Sequence, residues 1–346
     1  MRNIYVSNHP GEQHVALLED GVAQEYYIHR PVAPDGIGDV YVARVLAVVP
    51  AMGGAFVALA EAEAFLPDTE ANAVLSVGTH LAVRVTRAGQ GGKGPRVSAR
   101  VTESDSAGPV RLLRRGPTPL EELVAAYPDT LVVTGAFDDA LAADIARLAE
   151  PEFVLPGGMR ATATPTPALT AIDMDGGTTT GARVAKAQAQ FAANSAALPE
   201  IARQIRLRNF GGAVLVDFAG MPAKKRAALL GPLQAALAQD RMQPRLAGFS
   251  ALGFAEIARP RLRPPLHEKL RGPLAAGLAA LRQAASQSRA NPAQPLALRA
   301  PPAVITALQA DTAALADLAH VMTHPLMLRS DPALSATLCL IEPANA

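Results

Sequence analysis

Two apolar runs that each stop abruptly at an acidic residue constrain this chain more than any other feature. Residues 168–174, within ALTAIDMDGG, and 213–218, within GGAVLVDFAGM, read as strands, and residues 183–208 between them read as one long helix holding Pro199. A proline inside a helix kinks or splits it, while Gly211-Gly212 suits the end of that helix and the start of the second strand. Further strands are expected near 244–247 and 253–258, and further helices over 222–239 and 266–288. Strands alternating with long helices indicate a layered α/β domain. In an open α/β sheet, sites gather at the carboxyl ends of strands, which is where Asp173, Asp175 and Asp217 stand. Asp173 and Asp175 are two apart on a strand and so share one face.

Before these strands the character is different. Residues 4–7, 14–18 and 24–29 alternate or run apolar between the turn signals NHPG and EDG, which reads as a β-meander. Five candidate strands follow, at 39–49, 54–58, 64–67, 79–87 and 96–101, with glycine-rich turns. That pattern suits a small closed barrel of the oligonucleotide-binding type. Residues 119–126, 130–134 and 138–148 then read helix, strand, helix, a unit able to pack on the opening meander. The barrel would thus be an insertion in one α/β domain.

Composition narrows the function classes. A chain of 346 residues with 49% hydrophobic content exceeds one small core. Net charge is +1, so any basic surface arises from local clustering. The single cysteine, Cys339, excludes an internal disulfide and a multi-cysteine zinc site, and reads as a small buried hydrophobe. The opening MRNIYVSNHP has no apolar core of a secretion signal, and no apolar run approaches the ~20 residues that span a bilayer. A reducing cytoplasm is the expected compartment.

Three carboxylates converging on a small volume repel one another unless a cation holds them. Hard oxygen donors suit Mg²⁺ or Mn²⁺, which activate water and stabilise charge on a phosphoryl group. Taken singly, each aspartate is better read as a cap on a strand or turn. No CxxC, HExxH or P-loop pattern is present.

The segments LPGGMRATATPTPALTAIDMDGG, EIARQIRLRNFGGAVLVDFAGM and GFAEIARPRLR are similar to the catalytic part of the ribonuclease E/G family. GDVYVARV, GAFVAL and AFLP in the barrel resemble that family's S1 domain, and the last residues resemble its small C-terminal domain. The resemblance implies an S1-type five-stranded barrel at 38–103, inserted in a reduced RNase H-like unit (1–37 and 104–155). A DNase I-like catalytic domain at 156–287 and a small α/β domain at 288–346 would follow. It implies an endoribonuclease acting on single-stranded RNA with Mg²⁺, or Mn²⁺, held by Asp173, Asp175 and Asp217, with Asp173 and Asp217 catalytic. Asp175 stands where the family has Asn. Phe56 and Phe65 match RNA-stacking phenylalanines and Lys93 an RNA-contacting lysine, although both rings are also readable as core. Arg206 and Arg261 are candidate phosphate contacts because they flank the acidic segments.

Several departures qualify the likeness. No CPxC follows RPRLRPPL, so the family's zinc-linked tetramer is not expected, leaving a monomer or dimer. Residues 104–155 are too few for the 5′-phosphate sensor insert, so cleavage independent of a 5′-monophosphate is expected. Pro167 replaces a Glu, Gly176-Gly177-Thr178 replaces basic and polar residues, and Ala251 replaces an Arg. These losses motivate a rival expectation, an RNA-binding protein that keeps the scaffold without turnover. A third is a docking role on another processing factor.

Overall fold

The computed structural model describes residues 1–102, 108–176 and 183–345. The opening meander is β1 (Arg2–His9), β2 (Glu12–Glu19) and β3 (Val22–His29). Next come β4 (Val40–Val49), β5 (Gly54–Ala58), β6 (Glu63–Pro67), β7 (His80–Arg87), β8 (Arg96–Ser98) and β9 (Arg111–Arg114). They are followed by α1 (Pro119–Ala126), β10 (Leu131–Thr134), α2 (Asp139–Arg147), β11 (Glu152–Val154), β12 (Arg160–Pro165) and β13 (Leu169–Asp175). Then come α3 (Arg183–Leu207), β14 (Gly212–Asp217), α4 (Ala223–Arg226), α5 (Leu230–Leu237), β15 (Arg245–Phe249) and β16 (Ala255–Arg259). The remaining elements are α6 (Leu266–Lys269), α7 (Gly272–Ala290), β17 (Leu296–Ala300), α8 (Pro302–Ala310), α9 (Thr312–Val321), β18 (Met327–Ser330) and β19 (Leu340–Pro343).

The chain divides into two compact units, one of residues 1–34, 118–141 and 267–346, the other of residues 35–117 and 142–266. In the first, β10-β1-β2-β3 form a sheet in which β10 runs parallel to β1. α1 starts at a capping box, with the Thr118 hydroxyl accepting from Glu121 N–H and the Glu121 carboxylate accepting from Thr118 N–H. Its Leu123 packs on Ile4, Val6, Val15 and Leu17. A second sheet, β18-β17-β19, is covered by α7, α8 and α9. Glu12, almost wholly buried, accepts from Arg30 and Arg282 and lies 3.3 Å from His14. Burial alone would raise the Glu12 carboxyl, but the His14 hydrogen bond and the two guanidinium charges outweigh it and hold it at about 2. His9, stacked edge-on against His14 with ring centroids 4.7 Å apart, is pushed down to about 4 by burial and by the nearby positive groups.

The boundary expected at 287/288 does not hold. α7 runs through it to Ala290, and its Leu278, Leu281 and Ala285 pack with Leu298, Val304 and Leu308. The helix therefore belongs with the residues after it, and the unit changes at 266/267.

In the second unit the barrel strands lie in the order β5-β6-β8-β7-β4-β9, closed by the β4–β5 pairing around Val45, Val57, Leu66, Val83 and Val97. β9, which the sequence left unassigned, adds to β4 from outside the expected five strands. The other sheet is β11-β12-β13-β14-β16-β15. Alternation sets its faces: Ile172, Met174, Val214 and Val216 are buried against Leu198, Ile201 and Ile205 of α3 and Leu233 and Leu237 of α5. The helix α3 is one element through Pro199. The helix expected over 222–239 is instead broken into α4, a short 3₁₀ turn at Ala227–Leu229, and α5. Among the described residues no helix is long and apolar enough to cross a membrane.

Candidate functional site

Since one face of the β13–β14 pair is packed, the other is left to the polar residues. The two strands are parallel, and Asp173 is the register partner of Asp217 at their carboxyl ends. Thr162 of β12 completes that row opposite Asp173, and Arg160 stands opposite Asp175 in the next row. Asp173 and Asp175 are exposed, and the Asp217 side chain is 41% exposed. The sheet thus brings Asp173 and Asp217 side by side on an open face, with Asp175 on the same face of β13.

Among the described residues no group of three or more carboxylate, histidine or cysteine side chains is arranged to hold a metal ion. The three-ligand set expected from the sequence is therefore not assembled; the register pair is. Two hard oxygen groups at a solvent-facing strand end still suit Mg²⁺, which keeps several waters and takes one or two carboxylates plus substrate phosphate.

A residue the sequence did not single out sits on this site. Arg226, at the end of α4 and 12% exposed in its side chain, donates from Nη1 to Asp217 Oδ1 at 2.7 Å. The rest of its guanidinium is fixed by backbone carbonyls: Met221 at 2.9 Å, Phe218 at 3.1 Å and Gly253 at 2.6 Å. Asn194 of α3 holds the same loop, donating to the Ala219 carbonyl at 3.0 Å. Arg226 is thus set in place by main chain and offers one N–H to the carboxylate.

Two expected phosphate contacts are placed otherwise. Arg206 is a buried residue of α3. Arg261 lies at the amino ends of β13 and β14, the far end from the aspartates, donating to the carbonyls of Gly211 at 3.1 Å and Ala168 at 2.8 Å. Nearness in sequence to the acidic segments thus puts neither of them beside the aspartates. The polar residues of RLRN have a structural task here: Asn209 donates to the carbonyls of Arg263 and Pro264, both at 3.0 Å, and accepts from Arg259 at 2.8 Å.

On the barrel, Phe56 and Phe65 are register partners on β5 and β6. Their neighbours Ala55, Val57, Ala64 and Leu66 fill the core, so both rings point outward and are half-buried. They meet edge to face with centroids 5.5 Å apart. Gly54 makes room, since a Cβ there would meet the Phe65 ring at 2.6 Å and the Leu66 carbonyl at 2.4 Å. Lys93 is exposed at the tip of a turn closed by Lys93 N–H to Gln90 O at 3.1 Å. Gly94 lets that turn run against β6, where a Cβ would meet the Glu63 carbonyl at 2.3 Å. The readings of Phe56 and Phe65 as core residues are therefore set aside.

The model of the Ribonuclease E/G family matches residues 120–262. Ribonuclease E of Nostoc sp. is 32% identical over 154 residues, covering 44% of this chain and 22% of that protein. Ribonuclease G of Escherichia coli K12 is 39% identical over 106 residues, 30% of this chain and 22% of that protein. Ribonuclease E of the same strain is 38% identical over 118 residues, 34% of this chain and 11% of that protein. The matched stretch spans about a fifth or less of the length of these relatives. It holds the register-paired aspartates, the RLRN helix end and Arg226, and over it this chain is similar to the ribonuclease E/G family.

Proposed function

We propose that this chain is a divalent-metal-dependent endoribonuclease that holds single-stranded RNA on its barrel and hydrolyses a phosphodiester at the carboxyl ends of β13 and β14. The observation that carries the reading is the pairing of Asp173 with Asp217 on an exposed sheet face inside the family-matched stretch. Asp173 and Asp217, with Asp175 beside them, would hold Mg²⁺ or Mn²⁺. When bound, such a cation lowers the pKa of water and neutralises charge developing on the phosphoryl oxygens. The aspartates orient it, and Arg226 holds the Asp217 carboxylate in place. Phe56 and Phe65 stack bases without regard to sequence, and Lys93 meets a phosphate. The products are then a 5′-phosphate and a 3′-hydroxyl, and cleavage does not depend on a 5′-monophosphate.

The test is cleavage of one single-stranded RNA, carrying a 5′-monophosphate or a 5′-triphosphate, with and without Mg²⁺ or Mn²⁺. Metal-dependent products at equal rates from both ends support the reading. A second reading, RNA binding without turnover, is favoured by the ion pair that already occupies Asp217. Tight RNA binding with no cleavage under either metal establishes it instead.

A further inference from the structure

The outer face of the barrel carries two arginines in an arrangement that is unfavourable unless something anionic shares it. β7 and β8 are antiparallel, and their register slips between Val85 and Arg87, so that Arg87 stands directly opposite Arg96. Thr86 is the extra residue, and its hydroxyl donates to the Arg96 carbonyl at 3.2 Å. A bulge of this kind re-aims the next side chain. Like charges directly opposite on neighbouring strands repel.

Arg87 Nε is shielded from solvent and has no hydrogen-bond partner among the described residues. A donor buried in that way keeps the cost of its lost hydration. Burial first, and then the charges of Arg96 and Arg261, push the Arg87 guanidinium down from its ordinary range. Both of those neighbours are positive. Arg261 comes from the segment after β16, which is fastened to the barrel by Ala88 N–H to the Leu262 carbonyl at 2.8 Å. Its guanidinium lies flat on Gly212, where a Cβ would meet Nε at 2.1 Å, so the charge is held still. The cluster also adjoins the aromatic pair, because Arg96 is the bridge partner of Phe65.

We infer that Arg87, Arg96 and Arg261 form a phosphate-binding site whose ligand is a backbone phosphate of the RNA strand that stacks on Phe56 and Phe65. The inference rests on the RNA-binding reading above and gives the strand a direction, from the rings across β8 to β7. Arg87 and Arg96 supply the planar fork that matches two phosphate oxygens. Arg261 donates to the carbonyls of Gly211, Pro167 and Ala168 and acts as a fixed charge. The bound phosphate satisfies Arg87 Nε and screens the repulsion.

The experiment compares the wild-type chain with R87Q/R96Q and R87K/R96K. Affinity for a short single-stranded RNA is measured from 50 to 200 mM KCl without divalent metal, and thermal melting with and without pyrophosphate. We expect R87Q/R96Q to bind RNA at least tenfold more weakly at the lowest salt. Its slope of log K on log salt is expected to be shallower by about 0.7 for each phosphate that the protein no longer neutralises. Free of repulsion, it melts above the wild type without ligand and is no longer stabilised by pyrophosphate. R87K/R96K keeps the wild-type salt slope. Equal RNA affinity and slope in R87Q/R96Q, with wild type binding, overturns this inference alone. Pyrophosphate stabilisation that needs the arginines while RNA affinity does not overturns RNA as the ligand. Failure of the wild type to bind RNA overturns the functional reading itself, and this inference with it.

Discussion

The barrel face and the acidic end of the β13–β14 pair are built on opposite electrostatic plans. On the barrel, Arg87 and Arg96 stand opposite each other, beside two outward rings. On the sheet, the carboxylate of Asp217 already has a guanidinium on one oxygen. The first surface, on the inference above, is completed by a negatively charged ligand. The second is partly compensated and needs only a small cation to finish it. On the proposed function, holding a strand and cutting it fall to separate surfaces, and either is open to loss without the other.

The largest expected effect strikes the sheet alone. Asp217→Ala should abolish metal-dependent cleavage in a gel assay while RNA affinity stays within about twofold; unchanged cleavage removes the assignment. Next is Arg226→Ala. Groups that orient a metal ligand are typically worth about 10–100-fold in metal affinity or activity. Cleavage and apparent Mg²⁺ affinity, read by titration calorimetry, should fall by that order. The melting temperature should fall too, since three carbonyls lose a donor. Arg226→Lys, keeping charge without the fork, should recover only part of the Mg²⁺ affinity. Smaller again is Phe56→Ala with Phe65→Ala. This should cost about 1–3 kcal/mol of RNA binding per base unstacked and leave kcat unchanged. A fall in kcat at saturating RNA would show the two surfaces to be coupled.

The smallest effect lies outside both surfaces and sets the pH range in which they are compared. His9 is held at about 4 against an ordinary 6.5, so below pH 6.5 the unfolded chain binds the extra proton and the folded one resists it. Stability is therefore lost as pH falls from 6.5 towards 4. Glu12, held at about 2 against 4.5, adds a loss as pH falls from 4.5 towards 2. Melting curves from pH 7 to 4 should fall, and His9→Gln should flatten the upper part of that fall.

Much of the architecture was legible because alternation and turn chemistry are local. The residue at which LTAIDMD and GGAVLVD turn acidic also marks where each strand ends, and their parallel register follows from the long helix between them. Arg226 was not legible, since three of its four acceptors are main-chain carbonyls that any sequence supplies. Arg206 and Arg261 look in sequence like solvated cations, and only packing distinguishes one buried in a helix from one laid on Gly212. The misplaced boundary has the same origin. The polar end of α7 reads like a linker, yet it is Leu278, Leu281 and Ala285 further back that decide which core the helix joins.

The carboxylate of Glu12 carries a consequence for the order of events at the ribosome. One of its guanidinium partners, Arg30, is made almost at once, but the other, Arg282, arrives 270 residues later. Every segment of the barrel-bearing unit has been synthesised by Leu266. The unit that starts first therefore finishes last, its meander joined by α1 and β10 but still without Arg282 while the inserted one completes. Any slowing of translation after residue 266 prolongs that wait, and a nascent chain halted there should present β1 to β3 to proteases and chaperones.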